Sequence, residues 1–296
     1  MDMQFYVIGM GELLWDMLPD GKQLGGAPAN FAYNAQQMGA RGAILSAVGK
    51  DSLGDEICEN IEKLNIDSLI SKVDFPTGTV AVTLKDNGIP TYDIVENVAW
   101  DMIELSDAAK KELNKVDAIC FGSLAQRNEV SRKAIEEAIN YTTGNCLKVF
   151  DINLRQHFYT KEVIKKSLEL CNVLKINDEE LVILSDMFGW EGSDIEKCQF
   201  LIDHYKLEML ALTCGENGSY LFTTDEHSYL ETPKVEVADT VGAGDSFTGV
   251  MIIGKLQNKR LSEIHQMAVN VSAFVCTKKG ATPFYEIDRI CDKINC

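Results

Sequence analysis

At 296 residues the chain has length for one large or two small domains around a substantial core. Its 46% hydrophobic and 25% charged residues are ordinary globular proportions and exclude disorder as a description of the whole. Lys and Arg number 28 against 45 Asp and Glu, and the net charge of -17 disfavours nucleic acid and anionic lipid as partners while leaving room for a small anion at a local site.

Short apolar runs alternate with amphipathic stretches. Tyr6 to Gly9 reads as a buried strand. Pro28 and Gly39 then bracket a helix over Ala29 to Met38, and Ile44 to Val48 reads as the next strand. Thr79 to Leu84, a turn at Lys85-Asp86-Asn87-Gly88 and Ile89 to Val95 predict a β-hairpin, which fits equally a cover over an active site and a decorated sheet edge. Further on, Ala118 to Phe121, Leu147 to Phe150, Asn172 to Ile176 and Met209 to Thr213 have the length and bulk of buried strands. Glu129 to Tyr141, Lys161 to Leu170 and Ser193 to Tyr205 have helical spacing. This rhythm predicts one α/β domain, a mostly parallel sheet with helices on both faces and a small β excursion.

No apolar stretch approaches the roughly 18 residues that span a bilayer. Met1 to Gly11 lacks the basic start and long apolar run of a signal peptide, so a cytoplasmic protein is expected. The nine cysteines, an odd number with no C-x-x-C pair, are expected to be reduced thiols. The four histidines, at 157, 204, 227 and 265, have no metal spacing.

Two familiar phosphate signatures fail. Gly9-Met10-Gly11-Glu12-Leu13-Leu14 ends in Leu where a dinucleotide fingerprint needs Gly, and Gly49-Lys50-Asp51 lacks the leading Gly and the Ser/Thr of a P-loop. The strongest local signal is Asp239-Thr240-Val241-Gly242-Ala243-Gly244-Asp245, followed by the apolar run Val250 to Leu256. Glycines at the mouth of a helix let backbone N-H groups and the helix dipole converge on an anion. Asp245 there fits two roles, a helix cap or a base that takes a proton from an attacking hydroxyl.

Nearer the N-terminus, Gly25-Gly26-Ala27-Pro28-Ala29-Asn30 permits close backbone approach to a ligand. Asn30 and the upstream Asp16 could bind polyol hydroxyls, or the segment is a loop before a capped helix. Asp151-Ile152-Asn153-Leu154-Arg155, Asn177-Asp178-Glu179-Glu180 and Thr213 to Gly218 each follow a predicted strand, where open α/β sheets gather ligands. Trp100 either lines a sugar pocket or belongs to the core.

Together these segments resemble the ribokinase-like, or PfkB, family of carbohydrate kinases along nearly the whole chain. Gly11 to Asp16, the Lys22 to Ala32 stretch and Asp151-x-Asn153-x-Arg155 look most like its fructokinase branch. The resemblance implies a three-layer α/β/α sandwich over 1–296 with a β-sheet lid from about 12–27 and 77–100. It implies Asp245 as catalytic base, with Gly242, Ala243 and Gly244 forming the anion hole. Asp16, Gly26 and Asn30 would hold the sugar, joined by Trp100 if it lines the pocket, and Arg155 would sit near the phosphates or the substrate. Asn177 and Glu180 match an N-x-x-E element that helps place phosphate and hydrated Mg²⁺. Thr213, Gly215 and Gly218 match the nucleotide loop, and Asn270 would lie beside adenine.

ATP and Mg²⁺ are thus the implied cosubstrate and metal, and a homodimer through the lid is the implied assembly. Asp239 would face a monovalent cation, but Gly280-Ala281-Thr282-Pro283 is followed by Phe284 where potassium-binding relatives often carry Ser. The expected reaction is phosphorylation of the 6-hydroxyl of D-fructose. The alternatives are a kinase for 2-keto-3-deoxygluconate, ribose or a nucleoside, and a non-catalytic sugar sensor.

Overall fold

The computed structural model describes residues 4–18, 21–84 and 90–290. Strand β1 (Tyr6–Met10) leads into β2 (Leu14–Leu18), β3 (Gly21–Gly25), helix α1 (Ala27–Gln37), β4 (Arg41–Gly49), α2 (Ser52–Lys63) and β5 (Asp67–Val73). β6 (Gly78–Leu84) and β7 (Pro90–Ile94) follow. The chain continues through α3 (Asp107–Leu113), β8 (Ala118–Phe121), α4 (Glu129–Tyr141), β9 (Leu147–Asp151), α5 (Lys161–Leu170), β10 (Val173–Asn177), α6 (Asp178–Phe188) and α7 (Asp194–Tyr205). It closes with β11 (Met209–Thr213), β12 (Ser219–Phe222), β13 (His227–Leu230), α8 (Ala243–Leu256) and α9 (Leu261–Cys276).

A nine-stranded sheet has the order β13-β12-β11-β10-β9-β8-β1-β4-β5. It is parallel from β5 to β11 and antiparallel at β12 and β13. Its central strands are apolar on both sides because alternate residues feed different cores. Ile8, Ile119, Phe150, Leu174 and Leu210 pack with α3 to α7. Val7, Cys120, Val149, Val173 and Ala211 pack with α1, α8 and α9. α2 closes over β4 on the latter side through Ile57, Ile61 and Ile44. This is the expected three-layer α/β/α arrangement.

A separate sheet has the order β3-β2-β6-β7. β6 and β7 are the arms of the expected hairpin, antiparallel with Val80 opposite Ile94. Its turn, Lys85 to Gly88, lies outside the described residues. The hairpin is not an isolated edge decoration, since β6 runs parallel to β2. Helix α1 starts at Ala27 rather than Ala29, because Pro28 sits inside the first turn where no N-H is needed.

Among the described residues no helix is long and apolar enough to cross a membrane. Cys58, Cys120, Cys146, Cys171, Cys198, Cys214 and Cys276 are free thiols. Cys291 and Cys296 lie outside the described residues.

Candidate active site

A cleft of about 1470 Å³ runs along the carboxyl ends of β1, β9, β10 and β11, under the small sheet. It exceeds the roughly 300–1,000 Å³ that suits one small ligand, so two substrates fit end to end. One end is lined by Glu12, Asp16, Gly25, Gly26, Asn30 and Arg155, and the other by Thr213, Gly215, Gly218, Val237 and Val241. Asp245 and the start of α8 lie between them.

The first end suits a polyol. Asp16, on β2 opposite Gln23 of β3, is half-buried; burial raises its pKa and Arg155 opposes that. Gly26 begins α1 at φ 125°, and a Cβ there would meet the Glu12 carbonyl oxygen at 2.5 Å, so only glycine lets the two turns touch. Glu12 is buried, and its Oε2 has no partner among the described residues. Burial, with help from Asp245, pushes the Glu12 carboxyl up to about 7, while nearby amides and Arg155 restrain it.

At the centre, Gly242 precedes α8 in the left-handed region, φ 78°, where a side chain would collide with Ala281. No side chain caps α8. The Ala243 amide donates to the Thr240 carbonyl at 3.3 Å, and the turn from Gly242 to Asp245 lines the cleft with the helix dipole behind it. Asp245 stands in the first turn as its acidic residue and does not cap the helix; its Oδ2 accepts from Asn30 Nδ2 at 2.8 Å. Burial raises the Asp245 pKa to about 6 and Asp151 adds to this, whereas Asn30, Lys175 and Arg155 pull it down. A carboxylate with that affinity is matched to proton abstraction near neutral pH.

Lys175, absent from the sequence expectations, lies beneath this turn. It is 7% exposed in β10, and its ammonium is 3.0 Å from Asp151 Oδ1. A Cβ on Gly244 would approach Lys175 Nζ at 3.0 Å. Burial opposes its charge, but Asp151, Glu180 and Asp245 hold its pKa above the usual lysine value. Its sequence signal was a single cation in the otherwise apolar run Val173-Leu174-Lys175-Ile176.

Of the residues singled out in the sequence, Asp16, Gly26, Asn30, Arg155, Asn177, Thr213, Gly215, Gly218, Gly242, Ala243, Gly244 and Asp245 line this cleft. Four other residues stand elsewhere. Trp100 is fully buried beneath the Arg127 guanidinium, 3.9 Å from its ring, and the apolar wall near the sugar end comes from Leu14, Val80, Ile94 and Leu124. Asn270 falls off the α9 stripe of Val269, Ser272, Ala273 and Cys276 that lines the cleft, and its Oδ1 accepts from Gln266.

Glu180 is buried behind the cleft wall. One oxygen accepts from the Leu154 amide and the other from the Asn177 amide, both at 2.9 Å, while Asn177 reciprocates toward the Glu180 amide at 2.7 Å. The N-x-x-E spacing is thus a capping box that staples two cleft loops. Asp239 likewise accepts from the Val241 and Gly280 amides and ties those turns together. Among the described residues no group of three or more His, Cys, Asp or Glu side chains is set to hold a metal.

Comparison with known proteins identifies the family and the fold. The profile of the pfkB family of carbohydrate kinases matches residues 20–288. An uncharacterized sugar kinase of Pyrococcus horikoshii is 27% identical over 296 residues, covering 93% of this chain and 91% of the relative. Its crystal structure superposes with a TM-score of 0.83 over 97% of both chains. Probable fructokinase-2 of Arabidopsis thaliana is 29% identical over 312 residues, 95% of this chain and 93% of the relative. At 20% identity, an ATP-bound fructokinase from Xylella fastidiosa shares the fold, with a TM-score of 0.84 over 99% of this chain and all of that one. The chain belongs to the pfkB family of carbohydrate kinases, phosphotransferases with a sugar hydroxyl as acceptor, and has its ribokinase-like fold.

Proposed function

We propose that this kinase transfers the terminal phosphoryl group of ATP to the 6-hydroxyl of D-fructose. The observation that carries the mechanism is the Asp245 carboxyl, held by Asn30 between a pocket whose polar lining suits a polyol and the start of α8, which no side chain caps. Asp16, Asn30 and Arg155 orient the sugar. Asp245 takes the hydroxyl proton, and the N-H groups around Gly242 to Asp245 receive the charge of the transferring group. Thr213, Gly215 and Gly218 line the nucleotide end, with Val241, Val269 and Ala273 as apolar contacts. The fructose assignment leans on relatives named fructokinase.

The acidic groups at the nucleotide end fit an Mg²⁺ that arrives with the triphosphate and keeps much of its water. Asp178 and Glu179 offer carboxylates on the cleft wall, and Glu180 holds the backbone behind them. When bound, Mg²⁺ neutralises phosphate charge. The chain is read as one kinase domain, cytoplasmic, dimeric through the small sheet, which covers the cleft as a lid.

The test is ADP release with Mg-ATP across fructose, mannose, glucose, ribose, 2-keto-3-deoxygluconate and adenosine. Fructose-dependent turnover that drops by several orders of magnitude in Asp245→Ala, with folding retained, supports the reading. Turnover with another acceptor alone overturns fructose. Sugar binding without turnover anywhere overturns the kinase in favour of a sensor.

A further inference from the structure

Beneath the start of α8, three buried side chains form a chain of contacts. Thr248, fully buried on α8, donates to Asp151 Oδ2 at 2.8 Å. The other Asp151 oxygen meets the Lys175 ammonium at 3.0 Å. The Thr248 hydroxyl also lies 3.0 Å from the Gly244 carbonyl, so the same threonine fixes Asp151 to the turn that receives the phosphoryl group. Lys175 reaches the cleft wall, and its ammonium is the atom a Gly244 side chain would strike.

A buried lysine is costly unless its charge is compensated. One carboxylate on the side away from the cleft leaves donors of this ammonium for a ligand on the other side. Resting on the placement of Asp245 and the α8 turn proposed above, we propose that Lys175 is a further catalytic residue, a fixed cation completing the anion hole. Asp151, anchored by Thr248, is the residue that positions it.

In the transfer the acceptor oxygen bonds to the terminal phosphorus as the bond from that phosphorus to the bridging oxygen breaks. The bond's electron pair stays on ADP, and the hydroxyl proton passes to Asp245. Charge on the non-bridging oxygens then faces both the α8 amides and the ammonium. The groups acting on Asp245 are Glu12 after β1, Asn30 on α1, Asp151 on β9, Arg155 beyond it and Lys175 on β10. Only Lys175 and Arg155 among them are cations, so the same ammonium helps keep the base ionised.

The experiment measures kcat, the KM of each substrate and the pH profile of kcat/KM for Lys175→Met, Lys175→Arg, Asp151→Asn and Thr248→Val, with thermal melts as folding controls. Lys175→Met should lose about 100-fold in kcat, the scale of one lost anion-hole donor. Asp151→Asn, close in shape and able to keep the threonine contact, should lose about tenfold through misplacement of the ammonium. The acid limb should move to higher pH in Lys175→Met and to lower pH in Asp151→Asn, because the two charges act oppositely on Asp245.

Folded variants with kcat within twofold of the parent, or acid limbs that stay in place, overturn the proposal. If Lys175→Met does not fold, Asp151→Asn and Thr248→Val decide by the same criteria. Asp245→Ala run alongside separates the two readings. Full activity in that variant removes the base assignment on which this proposal stands, whereas an inactive Asp245→Ala beside unaffected Lys175 and Asp151 variants removes only the cation.

Discussion

Among the described residues two ion pairs are buried on both sides and look alike by burial alone. Arg127 and Asp101 meet through paired contacts of 2.8 and 2.9 Å. The Arg127 guanidinium is sandwiched between Trp100 and Phe158, and it also donates to the Val95 carbonyl at 2.6 Å. Lys175 and Asp151 make one contact of 3.0 Å, and the ammonium reaches a cleft. The arginine's planar fork is matched to its carboxylate between aromatic rings, with Nη1 buried and unpartnered among the described residues, whereas the lysine stands beside the Gly244 turn at the wall of the large cleft. Burial of a charge is therefore a weak sign of function, and what the charged group lies beside is the stronger one.

The largest test of that contrast is Arg127→Met. Breaking one side of a matched buried pair should cost about 3–5 kcal/mol. A melt should show a loss of several degrees, while kcat per folded molecule stays near the parent's. A comparable kcat loss to Lys175→Met would erase the distinction.

Next in size is a gain of stability at the base. In the folded chain the Asp245 carboxyl is raised from 3.8 to about 6, so ionising it works against folding. The penalty is absent below about pH 4, grows between about pH 4 and 6, and is complete above that range. Asp245→Asn should thus be inactive yet more stable at pH 7, by on the order of 1–3 kcal/mol, with the gain vanishing in acid melts. In the parent enzyme the same shift means that kcat/KM rises with pH through about 6 as the base ionises.

The smallest effects concern Trp100 and potassium. Trp100→Phe should alter stability modestly and leave the sugar KM within about twofold, since the ring packs inside the core. Exchange of potassium for sodium should change the rate little. Asp239 already accepts two backbone amides, and Phe284, 72% exposed, offers no hydroxyl ligand. A large potassium activation would show that carbonyls alone build a cation site here.

Strands such as Ala118–Phe121 and Met209–Thr213 were legible because a parallel sheet buries both faces and leaves uninterrupted apolar runs. β2 and β3 were not, since short, half-exposed strands with Asp16, Lys22 and Gln23 carry little pattern of their own. Asp245 and Asn30 were readable singly, from glycine-rich turns at helix starts. Their bond joins residues 215 apart, which no local pattern reports. Trp100 was ambiguous because Arg127, which covers it, lies far along the chain. Glu180 carries a spacing that capping and phosphate placement share, and only its engaged oxygens separate the two. Lys175 was overlooked because one lysine in an apolar run reads as an interruption until Asp151 and Gly244 are beside it.

The free thiols equip the molecule with clocks of two speeds. Cys120, Cys146, Cys171 and Cys198 are buried, and burial raises each thiol's pKa and so makes it less acidic, so reagents reach them only when the fold opens. Cys276 is half-exposed on the nucleotide end of the cleft. With Cys58, Cys214, Cys291 and Cys296 replaced by serine, the faster labelling phase, that of Cys276, should shrink when nucleotide is added, and a slow one should follow the opening of the core. Occupancy and kinetic stability then become readable from the chain's own cysteines.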